Sequence, residues 1–182
     1  MVLSYSILQG NEDLTLFCCG DSRQHKKLDK FLKERAKKHQ NECIGTTYLV
    51  WNKTIKNRQL VGYMTLLADG IVVEEKNKLN FLNEVFVKHK YDSYPALKIG
   101  RLAVHKNYNH NSKNAGLNVG TYLFKLAMGI TKKLNDVVGA RFIVVDSKDM
   151  SLNWYLQKLK FKILDEEKEK NFLYYDIFGW KK

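Results

Sequence analysis

Proline is almost missing from this chain: Pro95 is the only one in 182 residues. Cysteine is scarce too. Cys18, Cys19 and Cys43 are an odd number, two of them adjacent, with no metal-ligand spacing, which speaks against a disulfide framework or a zinc site and fits reduced thiols in a cytoplasm. No apolar run approaches the length of a membrane span, so the expectation is a soluble protein. The start, Met1-Val-Leu-Ser-Tyr5, lacks a basic region followed by a long apolar core, so no export signal is expected. Repeats and low-complexity tracts are absent, and the length suits one domain over residues 1–182.

Negative charge is also in short supply. Lys plus Arg number 31 against 19 acidic residues, a net charge of +12, and only Arg23, Arg35, Arg58, Arg101 and Arg141 are arginines. Such an excess favours a polyanionic partner, because each neutralised phosphate releases counterions. A lysine-rich composition with a solvated surface explains the charge equally well. Acidic residues are sparse outside Glu74-Glu75 and residues 165–169, which disfavours a polycationic acceptor.

What is present is a globular pattern, 45% hydrophobic and 12% aromatic. Alternation in Asp13–Phe17 predicts a short strand. A helix capped by Asp21 or Ser22 runs to Lys38, with Leu28, Phe31, Leu32 and Ala36 on one face and a lysine-rich opposite face. That basic face is either solvated or a polyanion-binding ridge. Thr46–Trp51 and Gln59–Leu67 read as an antiparallel hairpin, with Gly62 marking a bulge or a close backbone approach, and Ile71–Val73 adds or extends a strand. Residues 76–94 suggest a short helix and a loop, ended by Pro95. A strand from Leu97 to His105, a helix from Val119 to Leu134, a doubly covered strand Arg141–Asp146, a short helix Ser151–Leu159, a strand Phe161–Leu164, a charged turn 165–171 and a last strand Phe172–Phe178 follow. The order gives an α/β fold with a central β-α-β unit.

The strand, polar loop and helix from Leu97 to Tyr122 gather unpaired N–H groups and a positive helix end at one point, which suits phosphate. Here the chain resembles the GNAT superfamily of acetyl-CoA-dependent N-acetyltransferases. The resemblance rests on Ile99-Gly-Arg-Leu-Ala-Val-His105 with Gly120-Thr-Tyr-Leu123, on Arg141–Asp146, and on Asn153-Trp-Tyr-Leu-Gln-Lys-Leu-Lys-Phe161. A weaker similarity in Phe17-Cys-Cys-Gly-Asp21, Leu28–Leu32, Thr47–Val50 and Leu60–Tyr63 is to the branch containing toxins that acetylate the amino acid of charged tRNA.

The resemblance implies a mixed, mostly antiparallel sheet of six to seven strands with a V-shaped splay between the central two. It implies acetyl-CoA as acetyl donor. Leu102, Ala103 and Val104 would bind pantetheine and polarise the thioester through main-chain N–H groups, with Arg101 and Asp146 as acceptor contacts. Lys113, Asn114, Ala115, Gly116, Asn118, Val119, Gly120 and Thr121 would hold the phosphates, and Ser147, Ser151 and Asn153 would line the other side. Tyr155 would be the general acid, and no metal is implied. Two departures stand out. Of the family's Arg/Gln, glycine and final glycine or alanine, this chain has Ala115, Asn118 and Gly120, and Lys160 replaces the usual glycine before Phe161. Lys113 or Asn114 would then stand in for the missing side chain, and Asn118 would turn the chain in left-handed geometry. His105 and Asp146 are candidate bases, though His105 also fits as a strand end and Asp146 as a turn cap. The expected acceptor is aminoacyl-tRNA, with an antitoxin protein and a homodimer as further partners and a cytoplasmic location. The alternatives are a small amine or protein acceptor, or a catalytically silent nucleic-acid-binding module.

Overall fold

A computed structural model describes residues 2–54, 58–72, 81, 83, 85, 91–109, 112–167 and 170–179. Seven strands form one sheet in the order β1-β2-β3-β4-β5-β7-β6. They are β1 (Leu3–Ile7), β2 (Thr46–Asn52), β3 (Gln59–Ile71), β4 (Tyr94–Val104), β5 (Phe142–Ser147), β6 (Lys162–Glu167) and β7 (Lys170–Asp176). The sheet is mixed. β4 and β5 are parallel, whereas β1–β2, β2–β3, β5–β7 and β6–β7 are antiparallel. The chain divides into two compact units: Met1–Leu67 with Gly100–Leu126, and Ala68–Ile99 with Ala127–Lys182.

In the first unit, Ser22 Oγ accepts from His25 N–H at 3.2 Å and starts α1 (Arg23–Lys30). The helix continues through one wide π-helical segment, Phe31–Arg35, into α2 (Ala36–Asn41). Phe31, Leu32 and Ala36 are buried, as their spacing predicts, among Leu8, Phe17, Leu49, Trp51, Leu60, Tyr63 and Ala103. Burying a side chain of the size of Phe or Leu contributes about 1.5–3 kcal/mol, so this stripe docks the helix. Gly20, at φ +148°, enters it: a Cβ there would lie 2.3 Å from His25 Nδ1. That explains the glycine of the Phe17–Asp21 stretch.

The strand expected at Asp13–Phe17 is not there. Asp13 Oδ1 accepts from the Thr15 N–H at 3.0 Å and from its hydroxyl at 2.5 Å, which curls the chain into a side-chain-capped turn. Leu16 is left 84% exposed while Phe17 is buried. The edge strand is instead β1, whose alternation of serine with Leu3, Tyr5 and Ile7 carries the pattern. The hairpin is as expected, and a register shift between Val50 and Trp51 places a bulge beside Gly62.

In the second unit Ile71, Phe81, Val85, Tyr94, Ala96, Phe142, Val144 and Tyr174 form the core. Phe81, Asn83 and Val85 are helical, matching the short helix expected there; the remainder of that expectation, and the part of Ile71–Val73 beyond Val72, lie outside the described residues. Arg141 donates from Nε and Nη2 to the two oxygens of Asp176, at 3.0 and 2.6 Å, tying the start of β5 to the end of β7. The charged turn expected at 165–171 is shorter, because strand pairing persists to Glu167↔Lys170. α3 (Val119–Val138) lies between the parallel strands β4 and β5 in sequence and completes the β-α-β unit, closed by Gly139 at φ +76°.

Candidate functional site

The two groups of implied site residues fall in different units. In the first, the C-terminal half of β4 leads into a loop that is stitched to its surroundings. His105 N–H donates to Val61 O at 2.9 Å, and Lys106 N–H to Cys18 O at 2.8 Å. Tyr108, buried, donates its hydroxyl to Gln59 Oε1 at 2.7 Å. Asparagines then shape the turn: Asn114 Nδ2 donates to Asn107 O at 3.0 Å and Asn118 Nδ2 to Gly116 O at 3.2 Å.

Asn118 adopts φ +47°, the left-handed geometry expected of it. Tyr122 N–H donates to Asn118 O at 2.9 Å, so the N–H groups of Val119, Gly120 and Thr121 belong to the free first turn of a long helix. The donor set therefore fits a diphosphate: three backbone N–H groups, the positive helix end, and the exposed Lys113 nearby in sequence. Among the described residues, nothing lies within 4 Å of where a Gly116 Cβ would stand. The side chains of Val119 and Ala103 are buried, so these two residues offer a ligand only their main chain.

His105 is excluded as a base by its bonding. Its Nδ1 accepts from Asn107 N–H at 3.2 Å, which puts the proton on Nε2, 3.3 Å from Leu16 O. Burial then holds its pKa below the ordinary histidine value. The resemblance gives Arg101 as an acceptor contact. Among the described residues it has no carboxylate partner; its guanidinium lies 4.0 Å over the Phe31 ring.

In the second unit, β4 and β5 pair only over Ala96↔Phe142, Leu97↔Ile143 and Lys98↔Val144. This is the short ladder that splayed central strands require. Lys98, at its end, bridges two carboxylates, Asp69 Oδ2 and Asp146 Oδ1, each at 3.1 Å. Burial opposes its charge, but hydrogen bonds to Asp146 and Asp69 outweigh it and raise its pKa. Asp146 is thus an ion-pair member rather than a turn cap. The sequence hint for this cluster was a lysine inside an apolar strand.

Ser147 and Ser151 come together, Oγ to Oγ at 3.0 Å, across the turn into α4 (Asp149–Asn153), while Asn153 is exposed. A π-helical turn, Trp154–Lys158, follows and carries Tyr155. Its ring is buried, edge-on to Trp154 at 4.9 Å and to Phe161 at 5.2 Å. Trp154 is half-buried, and the wide turn gives the core position to Tyr155. Burial raises the phenol's pKa. A phenol so held keeps its proton at neutral pH and can donate it. Lys160, at φ +63°, takes the left-handed position where the family has glycine.

No family model and no curated relative matches the chain. Solved structures do. The chain is similar to the toxin AtaT complexed with acetyl-methionyl-tRNAfMet, at 22% identity and TM-score 0.74, covering 99% of this chain and 98% of that one. The fold is the GNAT fold. A tyrosine-to-phenylalanine mutant of AtaT, bound to acetyl-CoA and the C-terminus of the antitoxin AtaR, matches at 22% identity and TM-score 0.70, over 96% of this chain and 93% of that one. A tyrosine-to-phenylalanine mutant of KacT matches at 22% identity and TM-score 0.70, over 96% and 95%. GNAT architecture accounts for the strand order and the β4-α3-β5 unit. Among the described residues, no helix is long and apolar enough to cross a membrane, and no group of His, Cys, Asp and Glu could hold a metal ion.

Proposed function

We propose that this chain is an acetyl-CoA-dependent N-acetyltransferase whose acceptor is the amino group of an aminoacyl-tRNA. The observation that carries this reading is the likeness, over nearly the whole of both chains, to a toxin complexed with an acetylated aminoacyl-tRNA. The net charge of +12 supports an RNA acceptor.

In this reading the first turn of α3, with Asn118 and Lys113, holds the diphosphate of coenzyme A, and main-chain groups of Leu102–Val104 hold its pantetheine arm and polarise the thioester carbonyl. The unprotonated amine attacks that carbonyl, a C–N bond forms, the C–S bond breaks, and Tyr155 gives its proton to the departing thiolate. The proton that the amine loses passes to solvent, and solvent returns one to the Tyr155 phenolate, so that the acid is restored and the net products are the amide and the free thiol. An aminoacyl ester has a weakly basic amino group, so no dedicated base is required. Ser147, Ser151 and Asn153 line the donor, while Arg101 and Asp146 contact the acceptor. A small antitoxin protein restrains the activity, as the AtaT complexes with AtaR suggest. The reaction belongs in the cytoplasm, where charged tRNA and free thiols coexist.

The test is thiol release from acetyl-CoA by the purified protein with charged tRNA, together with isolation of N-acetylaminoacyl-tRNA. Release with polyamines or peptides but not with charged tRNA would move the acceptor to another class. Neither thiol release nor a rise in Tm with acetyl-CoA would defeat the reading.

A further inference from the structure

The turn that enters the phosphate loop is capped by a histidine. Lys106–Tyr108 form a single 3-10 turn after β4, and His105 Nδ1 accepts from Asn107 N–H at 3.2 Å, in the place where Ser, Thr, Asp or Asn is usual. Main-chain bonds hold its neighbours: His105 and Lys106 donate to Val61 O and Cys18 O, and Tyr108 N–H donates to His105 O at 2.8 Å. Asn107 passes the connection on, because its carbonyl accepts from Asn114 Nδ2 at 3.0 Å. Asn114 O then accepts from Leu117 N–H at 3.1 Å, Asn118 Nδ2 donates to Gly116 O at 3.2 Å, and Asn118 O accepts from Tyr122 N–H at 2.9 Å. A chain of local hydrogen bonds therefore runs from the imidazole to the first turn of α3.

A histidine cap differs from the usual ones in a single respect. Only the neutral ring has a lone pair to offer; once protonated, both of its nitrogens are donors. Nδ1–H would then face Asn107 N–H, donor against donor, while Nε2–H would still find Leu16 O at 3.3 Å. The ring has little room to swing aside, since it is buried and held edge-on by Phe17 and Tyr108, with centroids 5.8 and 6.1 Å away. Of the charges that face it, Asp29 of α1 favours the protonated form and Lys106 opposes it. Glu12, Asp13 and Arg58 line the same cleft as the ring. They are engaged elsewhere: Glu12 accepts from Gln9 and Gly10 N–H, Asp13 from Thr15, and Arg58 lies 4.8 Å over the Trp51 ring.

We infer that His105 is a positioning residue for the donor site: neutral, it sets the loop from Asn107 to Asn118 for the diphosphate, and a proton on Nδ1 releases that loop. Acetyl-CoA and a proton thus compete for the protein. The inference rests on the proposed assignment of the diphosphate to the first turn of α3. Because acetyl-CoA binds the form with neutral His105, affinity is full above about pH 6.5 and falls as the pH drops through the folded-state value, which burial holds lower. One proton is involved, so the fall approaches about tenfold per pH unit.

Titration calorimetry of acetyl-CoA into the protein from about pH 8 to 5 reads this linkage, with circular dichroism at each pH to show that the chain is folded. The ligand's own terminal phosphate titrates near pH 6, so the comparison is with His105→Asn, which keeps an acceptor at the position of Nδ1 and does not titrate. The ratio of the two affinities should be constant above about pH 6.5 and move by about tenfold per pH unit in acid, the asparagine variant binding more tightly there. His105→Leu, which leaves Asn107 N–H without its acceptor, should bind about threefold to tenfold more weakly than His105→Asn at neutral pH. In the ligand-free protein the NMR signal of the Asn107 amide should titrate together with the His105 ring. Equal pH profiles for the unmodified protein and His105→Asn would overturn this inference and leave the diphosphate assignment standing. So would a His105→Asn variant as weak as His105→Leu. Absence of acetyl-CoA binding to the unmodified protein at about pH 7.5 would overturn the assignment and the inference together.

Discussion

Gly62 of β3 and Val119 at the head of α3 are so close that a Cβ on the glycine would stand 2.9 Å from Val119 Cγ1, with the Ala103 carbonyl oxygen at 3.0 Å. The first turn of the helix is therefore seated on bare backbone, and the bulge beside Gly62 is part of the seat. Gly62→Ala should cost about 1–3 kcal/mol in urea denaturation, because both neighbours are buried and one is main chain. It should also weaken acetyl-CoA binding, since the displaced turn is the one assigned to the diphosphate.

Tyr155→Phe removes the hydroxyl and keeps the buried ring, edge-on to Trp154 and Phe161. Tm should stay unchanged and the affinity for acetyl-CoA should be preserved. The turnover number should fall by about 100-fold or more, the usual loss of a general acid, which single-turnover kinetics would read directly.

Lys160 holds φ +63° in the link between Tyr155's turn and β6. Left-handed backbone costs an L-residue about 1–2 kcal/mol, part of which glycine's extra freedom when unfolded takes back. Lys160→Gly should stabilise the protein by about 0.5–1 kcal/mol, measured as a rise in the denaturation midpoint at constant slope.

Removing the ammonium that joins Asp69 and Asp146 leaves two carboxylates facing each other. Lys98→Met should lose about 1–2 kcal/mol at neutral pH, a modest figure because all three groups are partly solvated. The deficit should shrink in high salt, which screens the repulsion between the two partly exposed carboxylates. A deficit that salt leaves unchanged would mean that packing of the lysine stem, not charge, is what was lost.

His105 is held neutral by burial, with its folded pKa below the ordinary value. The unfolded chain then binds more protons than the folded one in the window between the two values. The stability from His105 is complete above about pH 6.5 and is lost as the pH falls toward the folded pKa. Equilibrium denaturation from about pH 7.5 to 5 should show this slope, and His105→Gln should flatten it.

Much of the fold can be read from local pattern. Phe31, Leu32 and Ala36 recur at helical spacing and are buried; Phe142–Val145 form an unbroken apolar run and are covered on both faces. Pattern misled where side chains bonded to the nearby backbone: Asp13 turned an alternating stretch into a capped turn, and the strand was at Leu3–Ile7. In the candidate site, the left-handed backbone at Asn118 was readable by residue type. The sequence order alone did not reveal that Asp146 shares Lys98 with Asp69, because the three residues lie on three different strands.

By itself the sequence determined the helices and strands from Thr46 onward that the structure describes, the β-α-β unit, the excess of positive charge and the special role of Gly62, since these follow from periodicity, composition and backbone sterics. Only the tertiary structure decided that His105 has both nitrogens occupied, that Arg101 stacks on Phe31, that Tyr155 sits with its ring buried, and that the edge strand is Leu3–Ile7. Each of those depends on what is brought alongside from distant parts of the chain, and a hydrogen bond, a stacked ring or an open edge exists only once both partners, or their absence, are fixed in space.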